Sequence, residues 1–221
     1  MTEESRASTK APSGSAGRVV ILAVTGVCVA LLGIWYTVCR PAAKVDERPL
    51  PVVANVPDFT LTERSGREVS RGDLLGKVWV ADFVFTSCAG PCPELSLRMR
   101  SLQKTLEETH RDVTLVTVSV DPKTDTPKVL RRYADKFEAD PEKWLFLTGP
   151  DDAYIHDLVV KGFLLSFAPA TQSSPLMHST RIVMVDREGR IRGSHDGLDV
   201  DERDQLLADL DKLLAEGHDG A

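Results

Sequence analysis

The chain has 221 residues, 42% of them hydrophobic, and a formal net charge of -6. That length suits one folded domain with extensions. The acidic balance, with no lysine or arginine stripe, excludes a nucleic-acid footprint, and one close cysteine pair outside the N-terminal apolar run is not a disulfide framework.

In chain order, residues 1–17 are rich in Ser, Ala, Thr, Gly and Pro and read as a disordered tail. Residues 18–39 contain the uncharged run Val19 to Val38, bracketed by Arg18 and Arg40, with Trp35 and Tyr36 near one end. At about 1.5 Å per helical residue the run covers roughly 30 Å, the thickness of a bilayer core. It is read as a retained transmembrane anchor, because a cleaved signal has a shorter apolar region and is followed by a small-residue cleavage site. Cys28 and Cys39 belong to this run or its edge and read as small apolar fillers. Basic residues are balanced on the two sides of the run, so charge alone does not orient it.

Residues 40–51 form a linker. The stretch from Cys39 to Phe59 carries Pro41, Pro49, Pro51 and Pro57 and reads as a tether plus an extended lead-in. Residues 52–216 are the predicted folded domain, and residues 217–221 a C-terminal tail. The stretch "FTLTERSGREVS" predicts a hairpin turning at Ser65-Gly66. The near-continuous apolar run Lys77 to Ser87 predicts a central strand covered on both faces. Leu95, Met99, Leu102 and Leu106 repeat at helical spacing, predicting a helix over Pro93 to Thr109. A strand follows at Asp112 to Asp121. Thr126-Pro127 caps and starts the next helix. A short strand at Trp144 to Leu147 leads to a helix over Asp151 to Gly162. Two strands around Glu188-Gly189 and a closing helix over Asp201 to Glu216 complete the chain. The order β-α-β-α-β-α-β-β-α after a front hairpin predicts an α/β, thioredoxin-like three-layer fold with a mixed central sheet.

Cys88 and Cys92 stand on the loop leaving the central strand, with three residues, Ala89, Gly90 and Pro91, between them. With Pro93 at the first helical position, Cys92 is predicted to be the N-cap, where the positive helix end lowers a thiol pKa. The spacing permits a disulfide and also permits both sulfurs to face one metal ion, which then needs a third ligand. His178, ending the loop "FAPATQSSPLMHST", is the candidate; His195 is a weaker one. Two thiolates and an imidazole form a soft, low-coordination set that suits copper, or zinc with a further ligand. Asp82, inside the central strand, is either a buried proton-transfer acid or a carboxylate bonded to local hydroxyls.

The segments "FTSCAGPCPEL", "VSVDPKTDTP" and "HSTRIVMVDREGRIRG" together resemble the Sco/SenC family of copper-binding, thioredoxin-like proteins, over Val52 to Leu214. The resemblance implies Cys88, Cys92 and His178 as ligands of copper, Cu(I) or Cu(II). It implies a single-pass inner-membrane protein whose domain faces the periplasm or the mitochondrial intermembrane space. It implies as partners the copper-bearing subunit of cytochrome c oxidase, which would receive copper or have its binuclear-site cysteines reduced, and an upstream copper donor. Asp121 matches the family's acidic position in the "DP" segment, and with Asp125 it is expected to position the adjacent loop, the alternative being simple turn and helix capping. The chain departs from many members in having Ala89, Gly90 and Pro91 in that loop and Met177 before the histidine. A thiol–disulfide oxidoreductase or redox sensor using the same two cysteines is the alternative.

Overall fold

The computed structural model describes residues 48–168 and 177–216, without the side chains of residues 167, 168, 177 and 178, together with Gly26 and Cys28. The chain divides into two units, Met1–Asp46 and Glu47–Ala221. No helix among the described residues is long and apolar enough to cross a membrane. The predicted anchor, apart from Gly26 and Cys28, and both predicted tails lie outside those residues.

The second unit is built on strands β1 (Ala54–Asn55), β2 (Thr60–Glu63), β3 (Glu68–Ser70), β4 (Val78–Val84), β5 (Val113–Ser119), β6 (Trp144–Thr148), β9 (Arg181–Val185) and β10 (Arg190–Asp196), in the sheet order β1-β10-β9-β4-β5-β6-β2-β3. β7 (Phe167–Ala168) and β8 (Met177–His178) pair with each other separately. β4, β5 and β6 run parallel, while β9 and β2 join them antiparallel. Every residue of β4 is buried, as its unbroken apolar run requires of a strand covered on both faces.

Helices α1 (Cys92–Glu108) and α2 (Pro127–Lys136) make the two crossovers among β4, β5 and β6. Because both crossovers step in one direction across the sheet and parallel connections are right-handed, both helices fall on one face. There Leu95, Met99 and Leu102 of α1 and Leu130 and Tyr133 of α2 share a core with Leu206 and Leu210 of the closing helix α4 (Glu202–Ala215). The opposite face is covered by α3 (Asp152–Asp157) and the π-helical turn Leu158–Gly162, with Ile155 and Val159 in a second core alongside Trp79 and Phe83. The mixed sheet, the helices on both faces and the front hairpin match the sequence prediction.

The differences are local. Helix α3 widens into the π turn over its predicted second half, where Gly162 packs so closely on Pro57 that an added Cβ would lie 2.9 Å from the proline ring. The "FAPATQSSPLMHST" loop carries the β7–β8 pair, and the lead-in supplies β1. Runs of two residues carry too little alternation for a strand to be read from sequence.

Arg192 fixes the lead-in at the end of the sheet remote from the cysteines. Ile191 pairs with Ala54 on one side and Val185 on the other, and Val185 pairs with Trp79 at the start of β4. Arg192, 4% exposed, donates to the carbonyls of Leu50 and Pro51, to Asp186 at 2.9 Å and to Glu216 beyond α4. Losing Arg192 takes the donor from the Leu50 and Pro51 carbonyls and from Glu216, while Asp186 keeps Arg190 and two backbone N–H groups. Arg192→Ala is expected to lower unfolding stability by about 2 kcal/mol in a urea titration while leaving the accessibility of the Cys88 thiol to a thiol reagent unchanged.

Candidate metal centre

The cysteine loop begins where β4 ends and is pinned from beneath by one carboxylate. Asp125, fully buried, accepts from the Thr86 N–H at 3.0 Å, the Thr86 hydroxyl at 2.5 Å and the Ser119 hydroxyl at 2.6 Å. Burial pushes its carboxyl above the ordinary range, against the pull of the Ser119 and Thr86 bonds. Asp121 has a different task. Its carbonyl accepts the N–H groups of Thr124 and Asp125, and its carboxylate accepts Thr124 N–H at 3.3 Å, so it caps the turn that presents Asp125. Of the two acids expected to position the adjacent loop, Asp125 bonds Thr86 at the start of the cysteine loop, while Asp121 caps its own turn.

From Thr86 the chain makes a tight turn, with Cys88 N–H donating to the Phe85 carbonyl at 3.1 Å and Gly90 N–H to the Cys88 sulfur at 3.3 Å. Pro91 is the N-cap of α1, already at helical angles (φ -73°, ψ -21°). Cys92 is therefore the first helical residue rather than the cap, because the helix is entered one residue earlier than the Pro93 pattern suggested. Both cysteines carry thiols rather than a disulfide. Cys88 is half-buried, and Cys92 is 0% exposed, packed with Val84, Leu95 and Met99.

The expected low thiol pKa at Cys92 is overturned. Burial pushes the thiol well above its ordinary value, a hydrogen bond with Cys88 adds to that, and a backbone hydrogen bond at Phe85 works the other way. The negative charges available at Cys88 and Asp82 raise it further. Desolvation of a sulfur with no exposed surface outweighs the partial positive charge of a helix end.

Behind the pair lies a buried polar layer. By strand alternation Asp82 sits between Val80 and Val84 on the face covered by α1 and α2. Its Oδ1 accepts the Thr117 hydroxyl at 2.5 Å, and Thr117 in turn accepts the Trp144 indole N–H at 2.8 Å. Its Oδ2 has no hydrogen-bond partner among the described residues. Beside it the Ser96 and Tyr133 hydroxyls are bonded at 2.9 Å, and burial raises the Tyr133 phenol. The Ser96–Tyr133 and Thr117–Trp144 bonds left no sequence signal, since each partner reads singly as a core residue. Thr86 did have one: a hydroxyl residue at the exit of a strand that feeds a cysteine loop.

The histidines divide cleanly. His195 lies within β10, with Nε2 3.2 Å from Asp209 and Nδ1 3.4 Å from Glu202, so it braces β10 against α4. His178 is in β8, paired with Phe167; its side chain, like that of Met177, lies outside the described residues. Among the described residues no three His, Cys, Asp or Glu side chains form a metal-binding group. The backbone nonetheless leads the His178 segment toward the cysteine end. β9 lies antiparallel to β4 with Val183 opposite Ala81, so the chain just before Arg181 reaches the sheet where β4 gives way to the cysteine loop.

The sequence model of the SCO1/SenC family matches residues 50–215. The chain belongs to that family. The SCO1 protein homolog of Bacillus subtilis is 31% identical over 160 residues, covering 72% of this chain and 83% of the relative. A putative copper-binding protein of Stutzerimonas stutzeri is 30% identical over 148 residues, covering 65% of this chain and 70% of the relative. Among solved structures, a SCO1/SenC family lipoprotein from Bacillus anthracis superposes with a TM-score of 0.69 at 31% identity, covering 72% of this chain and 95% of that one. BsSco, a member of the Sco family of cytochrome c oxidase assembly proteins in which a disulfide switch was identified, gives 0.68 at 28% identity, covering 76% and 98%. ScoI of Bradyrhizobium japonicum with copper bound gives 0.59 at 25% identity, covering 72% and 99%. The fold is thus the thioredoxin-like Sco fold with a curled mixed sheet.

Burial raises the Asp82 carboxyl from 3.8 to about 7, the Thr117 hydrogen bond offsetting only part of the shift. A carboxyl raised on folding favours the folded state most when protonated, so that contribution is lost as pH rises from its unfolded pKa through its folded one. The stability of the wild type relative to Asp82→Asn is therefore expected to fall between about pH 4 and 7 and then level off. Asp82→Asn should be the more stable protein at pH 8, by an amount on the order of a few kcal/mol, as read from urea unfolding of both proteins across the pH series.

Proposed function

We propose that this chain is a membrane-anchored copper carrier. Cys88 and Cys92 bind the ion as thiolates and His178 closes the site. The cargo passes to the copper-bearing subunit of cytochrome c oxidase, or the dithiol reduces the cysteines of that subunit's binuclear centre. An upstream donor loads the site. The observation that carries this reading is the pinned cysteine loop: two thiols hydrogen-bonded to each other at the end of β4, on a chain whose His178 segment returns to that same end. Copper-bound ScoI and the putative copper-binding relative support the choice of metal, and BsSco supports the oxidase as client. Thiolates and imidazole together suit copper in both oxidation states. The domain 52–216 is held by residues 18–39 in the inner membrane, with the domain on the periplasmic side or, in a mitochondrion, in the intermembrane space. The lipoprotein relative and a mitochondrial SCO1 homolog from Arabidopsis thaliana support a membrane setting.

A second reading has its own observation. Cys88 is half-buried and Cys92 wholly buried, the asymmetry of an attacking and a resolving thiol in disulfide exchange. Substitution of His178 separates the two. In the purified full chain, His178→Ala is expected to abolish Cu(II) binding and weaken Cu(I) binding while disulfide reduction persists. Loss of reductase activity with copper uptake untouched would reject the carrier.

The buried thiol also sets the pH dependence of loading. With its pKa raised, Cys92 is protonated across the neutral range and must release its proton to bind metal. Apparent Cu(I) affinity should then rise about tenfold per pH unit for each thiol proton displaced, measured between pH 6 and 8 by competition with a chromophoric chelator. A flat profile would mean that Cys92 is not a ligand.

A further inference from the structure

The turn between β10 and α4, Asp196–Gly197–Leu198, touches both ligand-bearing parts of the proposed site. On one side it holds Thr180, two residues after His178. Gly197 N–H donates to the Thr180 carbonyl at 3.0 Å, and the Thr180 hydroxyl donates to Asp196 Oδ1 at 3.1 Å. The same Oδ1 accepts Leu198 N–H at 3.0 Å, and Asp196 N–H donates to Glu202 at 2.6 Å, so the turn is itself tied to the first residue of α4. On the other side it presses on α1. A Cβ at residue 197 would lie 2.3 Å from Leu95 Cδ1, 3.0 Å from Ile182 Cγ1 and 3.0 Å from the Thr180 carbonyl oxygen. Leu95 is 0% exposed and three residues past Cys92. An added methyl would have to push the end of the Leu95 side chain within the core that α1 shares with α4. Glycine is thus the residue that lets the turn sit between the two.

We propose that Asp196, Gly197 and Thr180 are positioning residues for the copper site, setting the spacing between the helix that starts at Cys92 and the segment that carries His178. This rests on the reading of His178 as a ligand. Two thiolates alone hold Cu(I), which accepts low coordination. Cu(II) needs the added nitrogen, so a spacing error falls mainly on Cu(II). A purely structural role would weaken both metal states together, in step with thermal stability.

The test uses the purified full chain loaded with Cu(II) alone or Cu(I) alone, comparing wild type with Thr180→Val, Thr180→Ser, Asp196→Ala, Gly197→Ala and His178→Ala. Thr180→Val and Asp196→Ala are expected to weaken Cu(II) binding about tenfold or more and to shift the thiolate-to-copper charge-transfer band and the electron paramagnetic resonance spectrum. Cu(I) affinity should stay within about twofold of wild type, and Thr180→Ser, which keeps the hydroxyl, should restore the wild-type spectrum. Gly197→Ala should act in the same direction; if it does not fold, the Thr180 pair decides. Unchanged Cu(II) spectra in Thr180→Val and Asp196→Ala, or equal losses for Cu(I) and Cu(II), overturn the inference while a changed spectrum in His178→Ala leaves the ligand reading standing. An unchanged spectrum in His178→Ala overturns the ligand reading and the inference with it.

Discussion

Asp125 has no exposed surface, yet its two oxygens meet an amide and two hydroxyls, from Thr86 and Ser119. Burying a carboxylate is unfavourable unless its hydrogen bonds are made, and here every bond goes to the ends of two adjacent strands. Val84 and Ser119 are opposite each other in the parallel register, and Val120 N–H donates to the Val84 carbonyl. The carboxylate closes this end of the sheet as a ring of bonds, from β4 through Thr86 to Asp125, then through Ser119 to β5. Cys88 follows Thr86 by two residues, so its position is inherited from that ring. A change at Asp125 would leave the Thr86 amide and two hydroxyls to find new partners inside the protein, and the cysteine turn would move with them.

At Cys92 two effects of one structural decision compete. Starting a helix at this residue brings the partial positive charge of the helix end, which favours a thiolate. Starting it directly beneath the core of α1 also buries the sulfur among Val84, Leu95 and Met99, which favours a thiol. The helix-end effect is at most about 2 kcal/mol, whereas desolvation of a fully buried acid shifts its pKa by up to about 3–5 units. Burial wins. Without an ion Cys92 is then held as a thiol, and in the proposed carrier the ion itself would supply the positive charge that makes a thiolate of it.

The elements with long, unambiguous patterns were legible in the sequence. The apolar run of β4, the helical spacing of Leu95, Met99, Leu102 and Leu106, and the Thr126-Pro127 helix start each appear where their local chemistry places them. So was the cysteine pair, because its two sulfurs are close in sequence. The N-cap of α1 slipped by one residue, since two prolines flank Cys92 and either can begin the helix. The thiol pKa was misread because burial depends on the packing of β4 and α1 together, which a local motif does not encode. Asp125, Thr86 and Ser119 come from three separate segments, as do Thr180, Gly197 and Leu95. Contacts of that kind exist only once the register of the sheet is set.

The two halves of the proposed site are held in different ways, and that difference suits a cargo more than a resident metal. The cysteine half is continuous with the core: Cys92 packs among Val84, Leu95 and Met99, and its loop is tied to Asp125. The histidine half is attached at Thr180 to a turn and through β8 to Phe167, with no strand of the main sheet running through residue 178 itself. Within the cysteine half the exposures are unequal as well. In the proposed transfer an incoming thiolate would meet half-buried Cys88 before buried Cys92, so the accessible sulfur would be replaced first and the buried one last. Reprotonation of Cys92 would then favour departure of the ion, because a sulfur in that apolar setting is more stable as a thiol than as an unpaired thiolate.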